Sequence, residues 1–140
     1  MNSEVEAFVS GQRVARLATV DEHGRPHVVP ICFVMVEGAV YSVLDSKPKR
    51  VKVTRLRRVR NLLANPHVQV LLDRYDEDWS QLSYVQLRGR ASVIEAGSEQ
   101  SAAVRLLREK YTQYGEMAID ASPVIRVEVD EVVTWSGESR

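Results

Sequence analysis

The amino end of the chain carries three strand-like stretches with almost nothing between them: Val14 to Val20, His27 to Val36 and Ala39 to Leu44. Asp21-Glu22-His23-Gly24 is a turn, because Asp opens such turns and Gly tolerates positive φ; Glu37-Gly38 leaves room only for a tight reversal. Strands joined this closely pair antiparallel, since a parallel pair needs a crossover of a dozen or more residues. In the first strand Ala15, Leu17 and Thr19 share one face, with Arg16 and Ala18 on the other. Pro30 in the second strand cannot donate to a ladder and marks a bulge or an edge.

The rest of the chain extends this pattern. His67 to Leu72 lies between Pro66 and Asp73, and Leu82 to Ile94 reads as a long strand with Gly89 as a bulge or tight bend. Val124 to Trp135 alternates, with Ile125, Val127 and Val129 opposing Val124, Arg126 and Glu128. Three helices accompany the strands. Ser3-x-x-Glu6 is a capping box, so Ser3 is expected to cap a helix through about Ser10. From Val51 or Thr54 onward, Leu56, Val59 and Leu63 recur at helical spacing up to Asn65-Pro66. Ser98 is expected to cap a helix to about Tyr114, with Val104, Leu107 and Tyr111 at i, i+3 and i+7. Six strands without alternating βα units predict a mainly β protein, a six-stranded antiparallel barrel with flanking helices, as one domain over residues 1–140.

Several classes are excluded. At 140 residues the chain can bury one real core, and 44% apolar with 27% charged residues is an ordinary globular balance. The longest apolar run, Val28 to Val36, falls short of the roughly 20 residues a membrane span needs. With no basic start and apolar stretch at the amino end, a cytoplasmic address is expected. Cys32 is alone, so it makes no internal disulfide and no zinc site by itself; amid apolar residues it reads as an inert thiol. His23, His27 and His67 lack metal-ligand spacing and suit surface or strand-edge roles, so no metal is expected. Neither Gly-x-Ser-x-Gly, a Walker loop nor Gly-x-Gly-x-x-Gly occurs, which leaves hydrolase, P-loop and Rossmann chemistry without support.

Net charge is zero, yet eight of the 19 cations fall between Lys47 and Arg60 with no acid among them. Lys47, Lys49, Arg57 and Arg58 are among them. Such a segment attracts anions. Arg binds phosphate through paired charge-assisted hydrogen bonds, and a helix start adds a favourable field. The same cations equally suit a solvated helix face or a nonspecific nucleic-acid patch, although no nucleic-acid-binding motif accompanies them. Trp79, closing the acidic Asp76-Glu77-Asp78 loop, suits either stacking on a planar ring or packing over a barrel end.

Taken in order, Val14-Ala15-Arg16-Leu17-Ala18-Thr19-Val20 with its Asp-Glu-His-Gly-Arg-Pro-His turn, Tyr41-Ser42, the basic segment, Arg60-Asn61-Leu62-x-x-Asn65-Pro66-x-Val68, Asp78-Trp79-Ser80 and Val85-x-Leu87-x-Gly89-x-Ala91 span nearly the whole chain. In these motifs the chain resembles the pyridoxamine 5′-phosphate oxidase-like split-barrel flavoproteins. It is most similar to their F420-dependent branch, the flavin/deazaflavin oxidoreductases of the B type. The resemblance implies a split barrel that works as a homodimer, with cofactor at the subunit seam and a small-molecule substrate. In that family an Arg-Lys pair eight to nine residues before the Asn-Pro holds the phosphate. Arg57 and Arg58 stand there, the second a departure from Lys.

By the same resemblance, Tyr41 and Ser42 lie along the cofactor, and Val29, Pro30 and Ile31 line its ring. Trp79 or Tyr84 comes from the partner subunit, and Lys47 and Lys49 reach the cofactor tail. The stretch from Ser42 to Arg57 is longer than in the flavin-binding oxidases and adds cations, which suits the phosphodiester and polyglutamate tail of F420 better than FMN. The expectation is therefore an F420-dependent oxidoreductase of undefined substrate, with no catalytic side chain singled out. The alternatives are an FMN-dependent oxidase or flavin reductase of the same fold and a non-catalytic F420 carrier; neither nucleic acid nor membrane is an expected partner.

Overall fold

In the computed structural model, which describes residues 1–45 and 56–139, the turn-linked stretches at the amino end become antiparallel strands as their alternation requires. β1 (Ala15–Val20) buries Ala15, Leu17 and Thr19 and leaves Arg16 exposed. Its partner β2 (Pro26–Ile31) pairs from Val20↔Pro26 to Ala15↔Ile31. The expected single strand from His27 to Val36 breaks at Cys32-Phe33, and β3 (Val34–Val36) starts anew. Among the described residues the sheet therefore has seven strands, not six. The break is held by a residue far along the chain: the Tyr111 hydroxyl accepts from the Phe33 amide at 3.0 Å and donates to the Arg13 carbonyl at 3.0 Å.

The remaining strands are β4 (Ala39–Val43), β5 (His67–Arg74), β6 (Ser83–Ile94) and β7 (Val124–Ser136). Their order is β2-β1-β5-β6-β7-β4-β3, and every pairing is antiparallel. β2 and β3 are thus opposite edges of one sheet, yet only Cys32 and Phe33 separate them in the chain. Three virtual bonds of about 3.8 Å join Ile31 to Val34, so the edges lie within about 11 Å of each other. Only a sheet curled back on itself satisfies that, and the result is a split barrel.

Its interior holds Leu17, Phe33, Val70, Leu72, Leu87 and Ile125, all at most 1% exposed. The outer face of β3, β4 and the start of β7 carries a second core under α3 (Ser98–Lys110), where Tyr41, Val43, Leu107 and Val124 meet Tyr111 and Tyr114. Gly89 sits at the register shift of the β6–β7 ladder, and a Cβ there would lie 2.1 Å from the Glu128 carbonyl oxygen. Only glycine fits.

Helix boundaries depart from expectation at three points. Asn2, not Ser3, caps α1 (Ser3–Gly11), its Oδ1 accepting from the Val5 amide at 2.8 Å. Gly97 rather than Ser98 precedes α3, with φ at 106° and no side-chain cap. α3 stops at Lys110, and Tyr114 belongs to a following 3₁₀ turn, Thr112–Glu116. In α2 (Arg57–Ala64) the core-facing pair is Val59 and Leu62, while Leu63 is 63% exposed. No helix among the described residues is long and apolar enough to cross a membrane.

Candidate cofactor site

The rotation of α2 decides where its cations point. Val59 and Leu62 plug into the barrel interior, and buried Asn61 donates from Nδ2 to Thr19 Oγ1 on β1 at 3.0 Å. With the helix pinned on that side and 100° between successive residues, Arg57, Arg60, Asn61 and Ala64 share one stripe. That stripe faces the β1–β2 turn across a cleft of about 310 Å³, lined from the turn by Asp21, Glu22, His23 and Arg25. Asp21 organises the turn: one carboxylate oxygen accepts from the His23 amide at 2.8 Å and the Arg25 amide at 2.9 Å, the other from Arg25 Nε at 2.8 Å. These bonds, the Arg25 amide foremost, hold its pKa down to about 2.

Arg58 points elsewhere. It is half-buried, and burial pulls its pKa below the ordinary arginine value against the opposing pull of Asp45 and Tyr114. Burial likewise pushes the Tyr114 hydroxyl up, reinforced by Asp45 and by a hydrogen bond with the Cys32 thiol. Cys32 is half-exposed rather than sealed among apolar residues. Beside it Lys110 Nζ stands 3.8 Å from the centroid of the Phe33 ring. Burial, then Arg13, lowers the Lys110 pKa to about 8, with Cys32 opposing. The neighbours Arg57 and Arg58 therefore serve two separate surroundings, one at the β1–β2 turn and one between the end of β4 and α3. Lys47 and Lys49 lie outside the described residues.

The strand residues divide by the period-two rule. On β2, Val29 and Ile31 turn inward and Pro30 outward on an edge strand. His27 is on the inward face too, opposite Thr19, and its Nδ1 is buried with no hydrogen-bond partner among the described residues. On β4, Ser42 lies on the same face as interior Val40 and Leu44, whereas Tyr41 packs beneath α3. The Tyr41 hydroxyl donates to Glu99 at 2.5 Å, Glu99 also pairs with Arg126 at 2.9 Å, and burial with the Glu99 charge raises the tyrosine pKa. Only the Tyr41 backbone is offered to the barrel side.

Trp79 and Tyr84 stand apart from α2. Trp79 begins a 3₁₀ turn after β5, and Tyr84 stacks on Trp135 with centroids 5.8 Å apart. Tyr84 and Trp135 line a second cleft, of about 450 Å³, between α1 and the ends of β6 and β7. α2 meets β5 at His67 and this cleft meets it at Arg74, so the two regions are separated by the length of β5, about 23 Å. Within one chain these aromatics do not meet the arginines. Sequence reasoning passed over Arg25, Arg60, Asn61 and His27 as site residues. The run Arg60-Asn61-Leu62-x-x-Asn65-Pro66 and the helical stripe could have pointed to the middle two.

A curled antiparallel sheet with adjoining edge strands and a cationic helix at one end defines a split barrel. The family model of pyridoxamine 5′-phosphate oxidase matches residues 1–136, and the chain belongs to that family. A conserved hypothetical protein from Mycobacterium tuberculosis superposes with a TM-score of 0.80 at 21% identity, covering 98% of this chain and 86% of that one. The heme storage protein HutZ of Vibrio cholerae gives 0.70 at 20% identity, covering 95% and 92%. An F420 reductase gives 0.66 at 19% identity, covering 91% and 94%. No curated protein matches the chain. At these identities the structural likeness speaks for the fold.

Proposed function

We propose that this protein is an F420-dependent oxidoreductase acting on a small organic substrate. The observation that carries the reading is a pair of cations at the start of α2, Arg57 and Arg58, neither of which is hydrogen-bonded to a carboxylate among the described residues. They fit an anionic ligand, and the buried Nδ1 of His27, across the strands from Thr19, has no hydrogen-bond partner among the described residues. Family membership and the F420 reductase among the similar structures support a deazaflavin or flavin.

When bound, F420 would supply hydride transfer at its C5 carbon, and the protein would supply position, exclusion of water and electrostatics. Arg58 would anchor the phosphate, and Arg57, in the cleft by the β1–β2 turn, would join Lys47 and Lys49 in meeting the anionic tail. The backbone of Val29, Pro30, Ile31, Tyr41 and Ser42 would meet the edge of the ring, since the Val29, Ile31 and Ser42 side chains turn into the barrel and Tyr41 packs beneath α3. Trp79 and Tyr84 would come from a second copy, consistent with their distance from α2 in a single chain. A homodimer would form through the outer face of β2, β1 and β5, where Val28 is 60% and Leu71 37% exposed beside Ala18.

The test is calorimetric titration of the cofactor-free protein with F420, FMN and heme. Micromolar binding of F420 in preference to FMN supports the proposal. Preference for FMN moves the reading to a flavin enzyme, and failure to bind either one overturns it. Tight F420 binding without reduction of any quinone, nitro compound or tetrapyrrole would make the protein a carrier.

A further inference from the structure

We propose that the cleft between α2 and the β1–β2 turn is an anion-binding site in its own right, built from Arg25, Arg57 and Arg60 and selecting a phosphate or carboxylate group. Seven other arginines of the described chain are ion-paired with carboxylates, Arg16 with Asp73 and Arg88 with Glu131 among them. Arg57 and Arg60 have no ion pair among the described residues, although they line the same cleft as two carboxylates. Neither carboxylate pairs with Arg57 or Arg60 among the described residues. Asp21 accepts three hydrogen bonds within its own turn, one of them from Arg25 Nε, and Glu22 stands 3.4 Å from His23 Nε2. Two guanidinium groups one helical turn apart, facing a third across about 310 Å³, leave positive charge and donors directed at a space large enough for a phosphate or a short carboxylate chain.

The pinning of α2 by Asn61 makes this arrangement a consequence of the fold. While Asn61 holds Thr19 and Val59 fills the interior, Arg57 cannot turn to the side where Arg58 meets Asp45. The anion in the cleft has two possible sources: the tail of a bound cofactor, which rests on the F420 reading, or a free anion from solution, which does not.

Tripolyphosphate and a triglutamate peptide would be titrated into the cofactor-free protein at low salt, then into Arg60→Gln and Arg25→Gln variants. Both side chains are exposed, so the variants should fold, which circular dichroism checks. Each substitution is expected to weaken at least one probe about tenfold or more, the loss of a charge-assisted contact. Wild-type binding weaker than millimolar, or variants that bind as well as wild type, would overturn the site. F420 and a tailless deazaflavin then separate the sources. If Arg60→Gln weakens only F420, the cleft takes the tail; if it weakens neither while the probes still distinguish the variants, the site takes a free anion. Probe binding in a protein that binds no deazaflavin would retain this site and remove the proposed function.

Discussion

The hydrogen bond between Asn61 and Thr19 should behave as a single unit worth more than its length suggests. Asn61 is 3% and Thr19 1% exposed, so neither can turn to water when its partner is lost. Thr19→Val strands the Asn61 amide, and Asn61→Leu, close in volume, strands the Thr19 hydroxyl. An unpaired buried polar group costs about 1–3 kcal/mol. For 140 residues, with an unfolding entropy of about 2.1 cal/mol/K per residue, a loss of about 2 kcal/mol lowers Tm by about 7 °C. The double variant Thr19→Val with Asn61→Leu strands neither group. It should be more stable than the sum of the single losses by about 1–2 kcal/mol. Urea denaturation of all four proteins measures this directly. Additivity within about 0.5 kcal/mol would refute the argument, because it would mean the two side chains do not depend on each other.

This bond is also where the sequence was least readable. Helical spacing in α2 admits either Leu62 or Leu63 beside Val59, and apolarity does not separate them; the turn of the helix is set by Asn61. The deciding partner, Thr19, is 42 residues away, beyond anything a local pattern contains. The break at Cys32-Phe33 has the same character. Val28 to Val36 reads as continuous strand, and what interrupts it is the Tyr111 hydroxyl, 78 residues on. By contrast, the inward face of β1 and the Gly89 irregularity were legible, since one-sided burial and a missing Cβ leave marks on a few neighbouring residues.

The cationic segment was conspicuous by charge alone, but its geometry was not. Arg57 and Arg58 are adjacent in sequence and read as a pair, while the helical twist sends them to different surroundings. Arg25 was invisible as a site residue because a turn brings it to α2 from 32 positions earlier than Arg57. Tyr41 illustrates the converse. Its strand position was readable, but the face it takes depends on Glu99 and α3.

Two further predictions concern the outer surfaces. Val28→Glu with Leu71→Glu places charges on the exposed face of β2 and β5; light scattering at micromolar concentration should show a dimeric wild type and a monomeric variant, and a monomeric wild type would remove that face as the seam. The second sets burial against cation–π attraction at Lys110. The Phe33 ring favours the ammonium form and burial disfavours it; burial prevails, since the pKa falls from 10.5 to about 8. Between about pH 8 and 10.5 the unfolded chain therefore binds the additional proton, so this lysine makes unfolding harder as pH rises through that window. Below about pH 8 the folded protein carries a partly desolvated charge, and Lys110→Met removes it. Comparison of the two proteins by urea denaturation cancels the titration of shared groups. The stability of wild type relative to Lys110→Met should climb between about pH 8 and 10.5 and be level below about pH 8. A level difference throughout, or a fall, would mean that the aromatic ring outweighs burial and keeps the charge in place.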